Sequence, residues 1–443
     1  LTKGSKAIAI AQSIPAKSKR EEAYINAIAA FFTDWKKMDH HARSVNFEKA
    51  MEKIYTSYPD DKEAAVFYSL ALDAAADPGD KTYKNQRKAG AILNQIYPGE
   101  PNHPGIVHYI IHSYDYPELA SLALPAARQY ASIAPSSAHA QHMPSHIFTR
   151  LGLWGECIQS NLVSTASARC YAESAGIQGH WDEELHGLDY LVYSYLQTGE
   201  NKHAKEQCDY LDTIKNVYPL NFKDAYAFAA IPSRYVLENK LWKEAAVLPL
   251  HPISFPWQKF PWQEAIIHFT RLMGNVHTGN MDSASAELGK LSKLHSILVE
   301  QKDTYKANQV QIQINTAKAW ILFANGNKKE AEQLMINAAD MEDNTEKHPV
   351  TPGEVIPARE LLADMLLQMN QPQKALYAYE ADLKTHPNRF NGLYGAALSS
   401  QLSNNSEKAA TYYQKLLETC HSPGANRQEL IEAKTYLRKQ RSL

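Results

Sequence analysis

Along most of this chain apolar residues recur three and four positions apart, the spacing that lines one face of an α-helix. The helical runs are separated by short turns. One arrangement repeats: a helix, a tight turn at Gly or Asn, an aromatic or small residue, then an Ala-like residue early in a second helix. It is visible in RLGLWGECIQSN (150–161), LQTGENKHAKEQC (196–208), LENKLWKEAAV (237–247) and VHTGNMDSASAEL (276–288). It returns in FANGNKKEAEQL (323–334), QMNQPQKALYAYEADLKTHP (368–387) and LSNNSEKAATYYQKLL (402–417). The turn residue supplies the positive φ that stops a helix, and the small residue lets the two helices approach closely. The small positions are Ala123, Cys157, Ala204, Ala245, Ala284, Ala331, Ala375 and Ala409, spaced about 34 to 47 residues apart, the range of helix-pair repeats.

This pattern predicts an all-α chain, an α-solenoid of about ten helical hairpins with long loop insertions, forming one superhelical domain over 1–443. The hairpins run from REEAYINAIAAFF to AATYYQKLLETC, and ANRQELIEAKTYLRKQ reads as a polar end cap. The opening KGSKAIAIAQSI reads as a second helix without its partner, as in a piece of a longer protein. Three stretches interrupt the array: SAGIQGHWDEEL (174–185), HPISFPWQKFPW (251–262) and MEDNTEKHPVTPGEVIPARE (341–360), with 251–262 and 341–357 as inserted loops. Long inserts in repeat proteins usually gather on one face, often the binding face; the alternative is that they fill gaps between irregular repeats. With Ala375, Tyr379, Asp382 and Pro387 in the order Ala, aromatic, small, Pro, the chain resembles the tetratricopeptide repeat (TPR) family over nearly its whole length.

Composition narrows the function without naming it. Lys and Arg number 46 against 48 Asp and Glu, a net charge of −2 that offers no basic footprint for nucleic acid. No apolar run is long enough to span a membrane. The four cysteines carry no metal or disulfide spacing. No P-loop, GxSxG or GxGxxG stands in a usable context.

Histidine is the exception. Of the 18 histidines, those at 103, 108, 112, 139, 142, 146, 180 and 186 crowd into the repeats over 103–190. In HPGIVHYIIHSYDY (103–116), His108 and His112 are four apart and share a helix face, in a helix opened by Pro104. In HAQHMPSHIFTR (139–150), His142 and His146 are also four apart, with Pro144 between them either starting a helix or kinking a longer one. If the two helices are neighbours, the four imidazoles face each other and can close around Zn, Cu or Fe. His103, Asp115, His139, Arg150, His186 and Asp189 are the candidates for supporting or ligand-binding roles, His186 as a further ligand or base. Against this stands the packing alternative, in which the histidines hydrogen-bond between repeats. Lesser clusters are Glu354, Arg359 and Glu360, which Asn388, Arg389 and Phe390 are placed to pair with, and Glu264, His268 and Arg271.

The segments HPGIVHYIIHSYDYPELA, HAQHMPSHIFTRLGLW and HPVTPGEVIPARELLADMLL with PNRF (387–390) resemble a group of bacterial TPR proteins across essentially the whole chain. That resemblance implies a further repeat and often an export signal upstream, hence a periplasmic or exported location; it implies no reaction. Two functions compete. One is a histidine-rich pocket binding a transition metal or small-molecule ligand, either as an enzyme or as a carrier. The other is a non-catalytic scaffold holding a peptide or protein in a concave groove.

Overall fold

The computed structural model describes residues 1–441, which fall into two compact units, Leu1–Pro135 and a second beginning at Ser136. The first contains α1 (Thr2–Ser13), α2 (Lys19–Phe32), α3 (His40–Ser57), α4 (Lys62–Ala74), α5 (Lys84–Ile96), α6 (Pro104–Ser113) and α7 (Ala120–Ile133). Ser18 and Asp39 cap α2 and α3 by accepting from the backbone N–H of Glu21 and Ala42. Ala64, Ala65, Ala71 and Ala89 sit at the contacts among α3, α4 and α5, around Met51, Ile54, Tyr68 and Leu72. Small residues at these crossings allow close helix approach.

The second unit begins with α8 (Ala138–His142), α9 (Pro144–Leu151) and α10 (Trp154–Ser174). Hairpins follow: α11 (Asp182–Gln197) with α12 (Asn201–Thr213), α13 (Phe222–Glu238) with the one-turn α14 (Trp242–Ala245), α15 (Pro261–His277) with α16 (Met281–Glu300), and α17 (Thr304–Ala324) with α18 (Lys328–Asp343). Then come α19 (Ala358–Gln368) with α20 (Pro372–Thr385), α21 (Phe390–Leu402) with α22 (Ser406–Thr419), and α23 (Gln428–Arg441). The first helices α11, α13, α15 and α17 lie side by side, while α16 and α18 each back their own partner. Among the described residues, β-structure is confined to two short parallel strands, β1 (His180–Trp181) and β2 (Val217–Tyr218), with His180 opposite Val217.

The helical-hairpin reading is borne out position by position. All eight small positions, Ala123 through Ala409, are 0% exposed. Every one of the seven turns carries a residue at positive φ: Gly152, Gly199, Lys240, Gly279, Gly326, Asn370 and Asn404. At one turn the left-handed residue is Lys240 rather than the neighbouring Asn239.

The proline-rich insert at 251–262 sends Phe255, Trp257 and Trp262 into the core and leaves Ile253 exposed. Phe255 and Trp257 are buried after the one-turn α14; Phe255 packs 5.4 Å from Phe228 between ring centroids, and the Trp257 indole donates to Pro252 O at 3.2 Å. The turn after α14 lies so close to α15 that a β-carbon on Gly274 would sit 2.2 Å from the Ala246 nitrogen.

The last hairpins turn back onto the first elements of this unit. Arg389, at the head of α21, pairs with Glu360 of α19 at 2.9 Å and with Glu238 at the end of α13 at 2.6 Å, all fully buried, and donates to Tyr193 of α11 at 3.0 Å. The pairing of Arg389 with the acid at 360 is the one expected from the sequence. Around it, Gln197 accepts from Phe390 N–H at 2.9 Å, the Trp154 indole donates to Asn388 O at 2.8 Å, and Asn388 donates to Gly152 O at 3.1 Å.

Candidate metal centre

Pro144 starts a helix, the first of the two alternatives, and His142 lies on the short helix that leads into it. Ser137 caps α8 through Ala140 N–H, α8 ends at His142, and Met143 joins it directly to α9, where Pro144 occupies the first position and lacks the N–H that would go unused there. His142 therefore closes one short helix and His146 lies in the first turn of the next. α11 packs against α8 and presents His186 from its own beginning.

The three imidazoles converge. One ring nitrogen from each of His142, His146 and His186 lies within 4.8 Å of the others, and all three residues are buried. His142 and His186 stand 4.1 Å apart between ring centroids, His142 and His146 5.2 Å. Asn161 of α10 fixes the tautomer of His142. Its amide nitrogen donates to Ser145 Oγ and to Cys157 O, so its oxygen accepts from His142 Nδ1–H at 2.7 Å. The lone pair of His142 is thereby left on Nε2, which is buried and has no hydrogen-bond partner. Burial pushes the His142 pKa down to about 4 and holds that of His186 well below its ordinary value, with the neighbouring imidazoles adding to the effect at His186. Neutral, tautomer-fixed imidazoles are the form that ligates metals.

Tyr190, one turn beyond His186, packs against all three rings, its centroid 4.6 Å from His142, 5.3 Å from His146 and 5.5 Å from His186. Its hydroxyl lies 3.3 Å from His146 Nδ1 and donates to Val350 O at 3.0 Å. Val350 belongs to the segment 344–357 between α18 and α19, which runs across the row of first helices. Tyr305 donates to Glu346 O at 3.1 Å; Tyr226 and Arg234 both donate to Gly353 O at 2.9 Å. His348 of the segment sits among Phe222, Trp262 and Tyr305, 5.1 to 5.8 Å between ring centroids. Of the long inserts, this one lies over polar groups, whereas 251–262 sends its buried aromatics into the core.

The other expected residues are placed as follows. His108 and His112 lie on α6 of the first unit, 4.7 Å apart between ring centroids, with the Tyr130 hydroxyl 3.3 Å from His108 Nδ1. His103 caps α6, accepting from Ile106 N–H, and its other nitrogen meets Glu63 at 3.0 Å. Asp115 is buried just past α6. His139 meets Glu183 at 3.2 Å at the rim of the triad. Arg150 is buried on α9, one turn beyond His146, and its charge helps hold Glu354 ionised. Asp189 forms a buried ion pair with Arg234, so its carboxylate serves the group that grips the segment. Burial pushes Asp189 up to about 6, with the Arg234 charge opposing.

A second polar cluster anchors the far end of the segment. His386 bridges Glu354 at 3.1 Å and Asp382 at 2.8 Å. Burial opposes ionisation of Glu354, but the hydrogen bond and charge of His386 outweigh it and bring its pKa to about 2. Glu342, buried beside it, is held well above its ordinary value by burial and then by Glu354, and accepts from Ala358 N–H at 2.5 Å. His268 lies 2.5 Å from Glu287 and 3.6 Å from Glu264, a local pairing on α15 and α16.

Asn161 and Tyr190 are absent from the residues expected from sequence. Tyr190 had a readable signal, four residues after His186 on one helix face; Asn161, one polar residue inside an otherwise ordinary helix, had none. Among the described residues no helix is long and apolar enough to cross a membrane.

The chain matches no protein-family model and no curated protein. Among solved structures it is similar to yeast Tom70, at 12% identity and a TM-score of 0.32 over 96% of this chain and 97% of that one. It is similar to the APC/C hetero-tetramer Cut9–Hcn1, at 10% identity and a TM-score of 0.36 over 100% of this chain and 86% of that one. It is also similar to the TPR domain of P58(IPK), at 12% identity and a TM-score of 0.25 over 86% and 100%.

Proposed function

We propose that the second unit binds a first-row transition metal, zinc, copper or iron, through His142, His146 and His186. The observation that carries this reading is the convergence of three buried imidazoles with the Nε2 of His142 unpartnered. A buried nitrogen lone pair without a donor is costly in a structure that exists only to pack, and a metal ion removes that cost. Three protein ligands leave a position for water or a small ligand, the arrangement of a reactive site rather than of a closed structural one. The ring of Tyr190 gives the site an aromatic wall, and the second nitrogens of His142 and His146 are oriented by Asn161 and Tyr190.

Metal content measured by ICP-MS tests the reading. The parent is expected to carry one equivalent, and His142→Ala and His186→Ala to lose it. A His108→Ala/His112→Ala double variant measures whether that pair contributes. Substoichiometric metal in the parent, or full metal in the His142 and His186 variants, rejects the site.

A scaffold for a peptide or protein partner is the second reading. It is favoured by the way the row of first helices grips segment 344–357: through its main-chain carbonyls, by Tyr190, Tyr226, Arg234 and Tyr305. Side chains that hold backbone carbonyls suit any extended chain. A variant with 344–357 replaced by a Gly/Ser linker is expected to bind the 344–357 peptide in trans, by fluorescence anisotropy; no binding rejects this reading.

A further inference from the structure

Segment 344–357 and the three-histidine pocket meet at the Tyr190 hydroxyl. The Tyr190 hydroxyl has one proton, which it donates to Val350 O at 3.0 Å, so it meets His146 Nδ1 at 3.3 Å as an acceptor of that nitrogen's N–H. With Nδ1 protonated, the lone pair of His146 is on Nε2. Tyr190 thus holds the main chain of the segment while touching the histidines, and Tyr226, Arg234 and Tyr305 hold it from α13 and α17. The seat beneath the segment is not fully packed. A cavity of about 40 Å³ remains there, lined by Trp262, Tyr305, Gln313, Thr316, Glu342 and Glu354, and Gln313 Oε1 and Thr316 Oγ1 have no hydrogen-bond partner. The two ends of the segment are held differently: Val355 and Ile356 are buried in the core and Glu354 pairs with His386, whereas 346–353 is held by main-chain hydrogen bonds from Tyr305, Tyr190, Tyr226 and Arg234 and by the rings around His348, so that any loosening belongs to 346–353.

We propose that segment 344–357 is a strap whose seating is coupled to metal occupancy of the three-histidine pocket, with Tyr190 as the coupling residue. The proposal rests on the metal reading above. A metal ion on Nε2 draws electron density from the His146 ring and makes Nδ1–H a stronger donor. The Tyr190 oxygen, accepting a stronger bond, becomes a stronger donor in turn, because chained hydrogen bonds polarise one another. The metal therefore tightens the strap. By linkage, loosening the strap weakens the metal by the same factor.

Hydrogen exchange of the full chain with and without zinc tests this, with zinc stoichiometry measured on the same samples. Zinc is expected to slow exchange across 345–354 by about fivefold or more. Tyr190→Phe is expected to bind zinc about 10- to 100-fold more weakly, as loss of a group behind a ligand does, and, at zinc concentrations that still fill the site, to lose that slowing. Tyr226→Phe removes one of the two donors to Gly353 O, and is expected to speed strap exchange and to weaken zinc affinity by no more than the factor by which zinc slows that exchange in the parent. If zinc binds and strap exchange is unchanged, or if Tyr190→Phe responds as the parent does, the coupling is wrong while the metal site stands. If the parent binds none of zinc, copper and iron, both readings fall.

Discussion

Asn161 shows how one amide decides what a histidine can do. Its nitrogen is occupied by Ser145 and Cys157, so its oxygen faces His142 and dictates which ring nitrogen keeps a lone pair. Asn161→Ala is expected to weaken metal binding by about 10- to 100-fold while leaving far-UV circular dichroism unchanged, since residues behind a ligand carry that much affinity. At the other end of the strap, His386 and Glu354 set a pH dependence. The Glu354 carboxyl titrates at about 2 in the folded chain against an ordinary 4.5, so its contribution to stability is complete above the ordinary value and lost as pH falls toward 2. His386 is raised, so its contribution is complete below 6.5 and is lost as pH rises through its folded value. Urea denaturation of Glu354→Gln should thus show a deficit against the parent that is constant from pH 6.5 down to about 4.5 and shrinks below it. Of this residue-level chemistry, the sequence displayed the histidines and the acids but not their partners. Which nitrogen faces which oxygen depends on contacts between helices that no local spacing encodes.

At the scale of the element the sequence was far more legible. A helix stop needs positive φ and a helix crossing needs a small side chain, and both requirements leave marks at fixed offsets. That is why the turns and the buried Ala positions were readable. What escaped was whatever breaks the repeat. α14 is one turn long, and the insert that follows it buries Phe255 and Trp257, which composition alone does not show. The pairing of His142 and His146 with His186 on α11 depended on where α8 stops and α9 begins, a boundary set by Ser137 and Pro144 together. Two stability changes belong at this scale. Gly274→Ala places a β-carbon against the Ala246 backbone and is expected to cost about 1–3 kcal/mol by chemical denaturation, as overpacking does. Arg389→Met leaves Glu238 and Glu360 buried without their cation and is expected to cost about 3–5 kcal/mol.

For the chain as a whole, repetition announced the fold class. It could not announce that α21 returns to α11 and α13. The contacts that make the return, Arg389 with Tyr193 and Glu238, Phe390 with Gln197, and Asn388 with Trp154 and Gly152, join positions 151 to 236 residues apart. In an open array each repeat answers only to its neighbours, and assembly can begin anywhere and spread. Here it cannot finish by spreading. Bringing such distant partners together carries the entropy of closing a long loop, and the seam they form is made of charges that are costly to bury one at a time. The second unit is therefore expected to fold slowly, with its early hairpins formed and its ends still apart, until Arg389 finds both carboxylates at once.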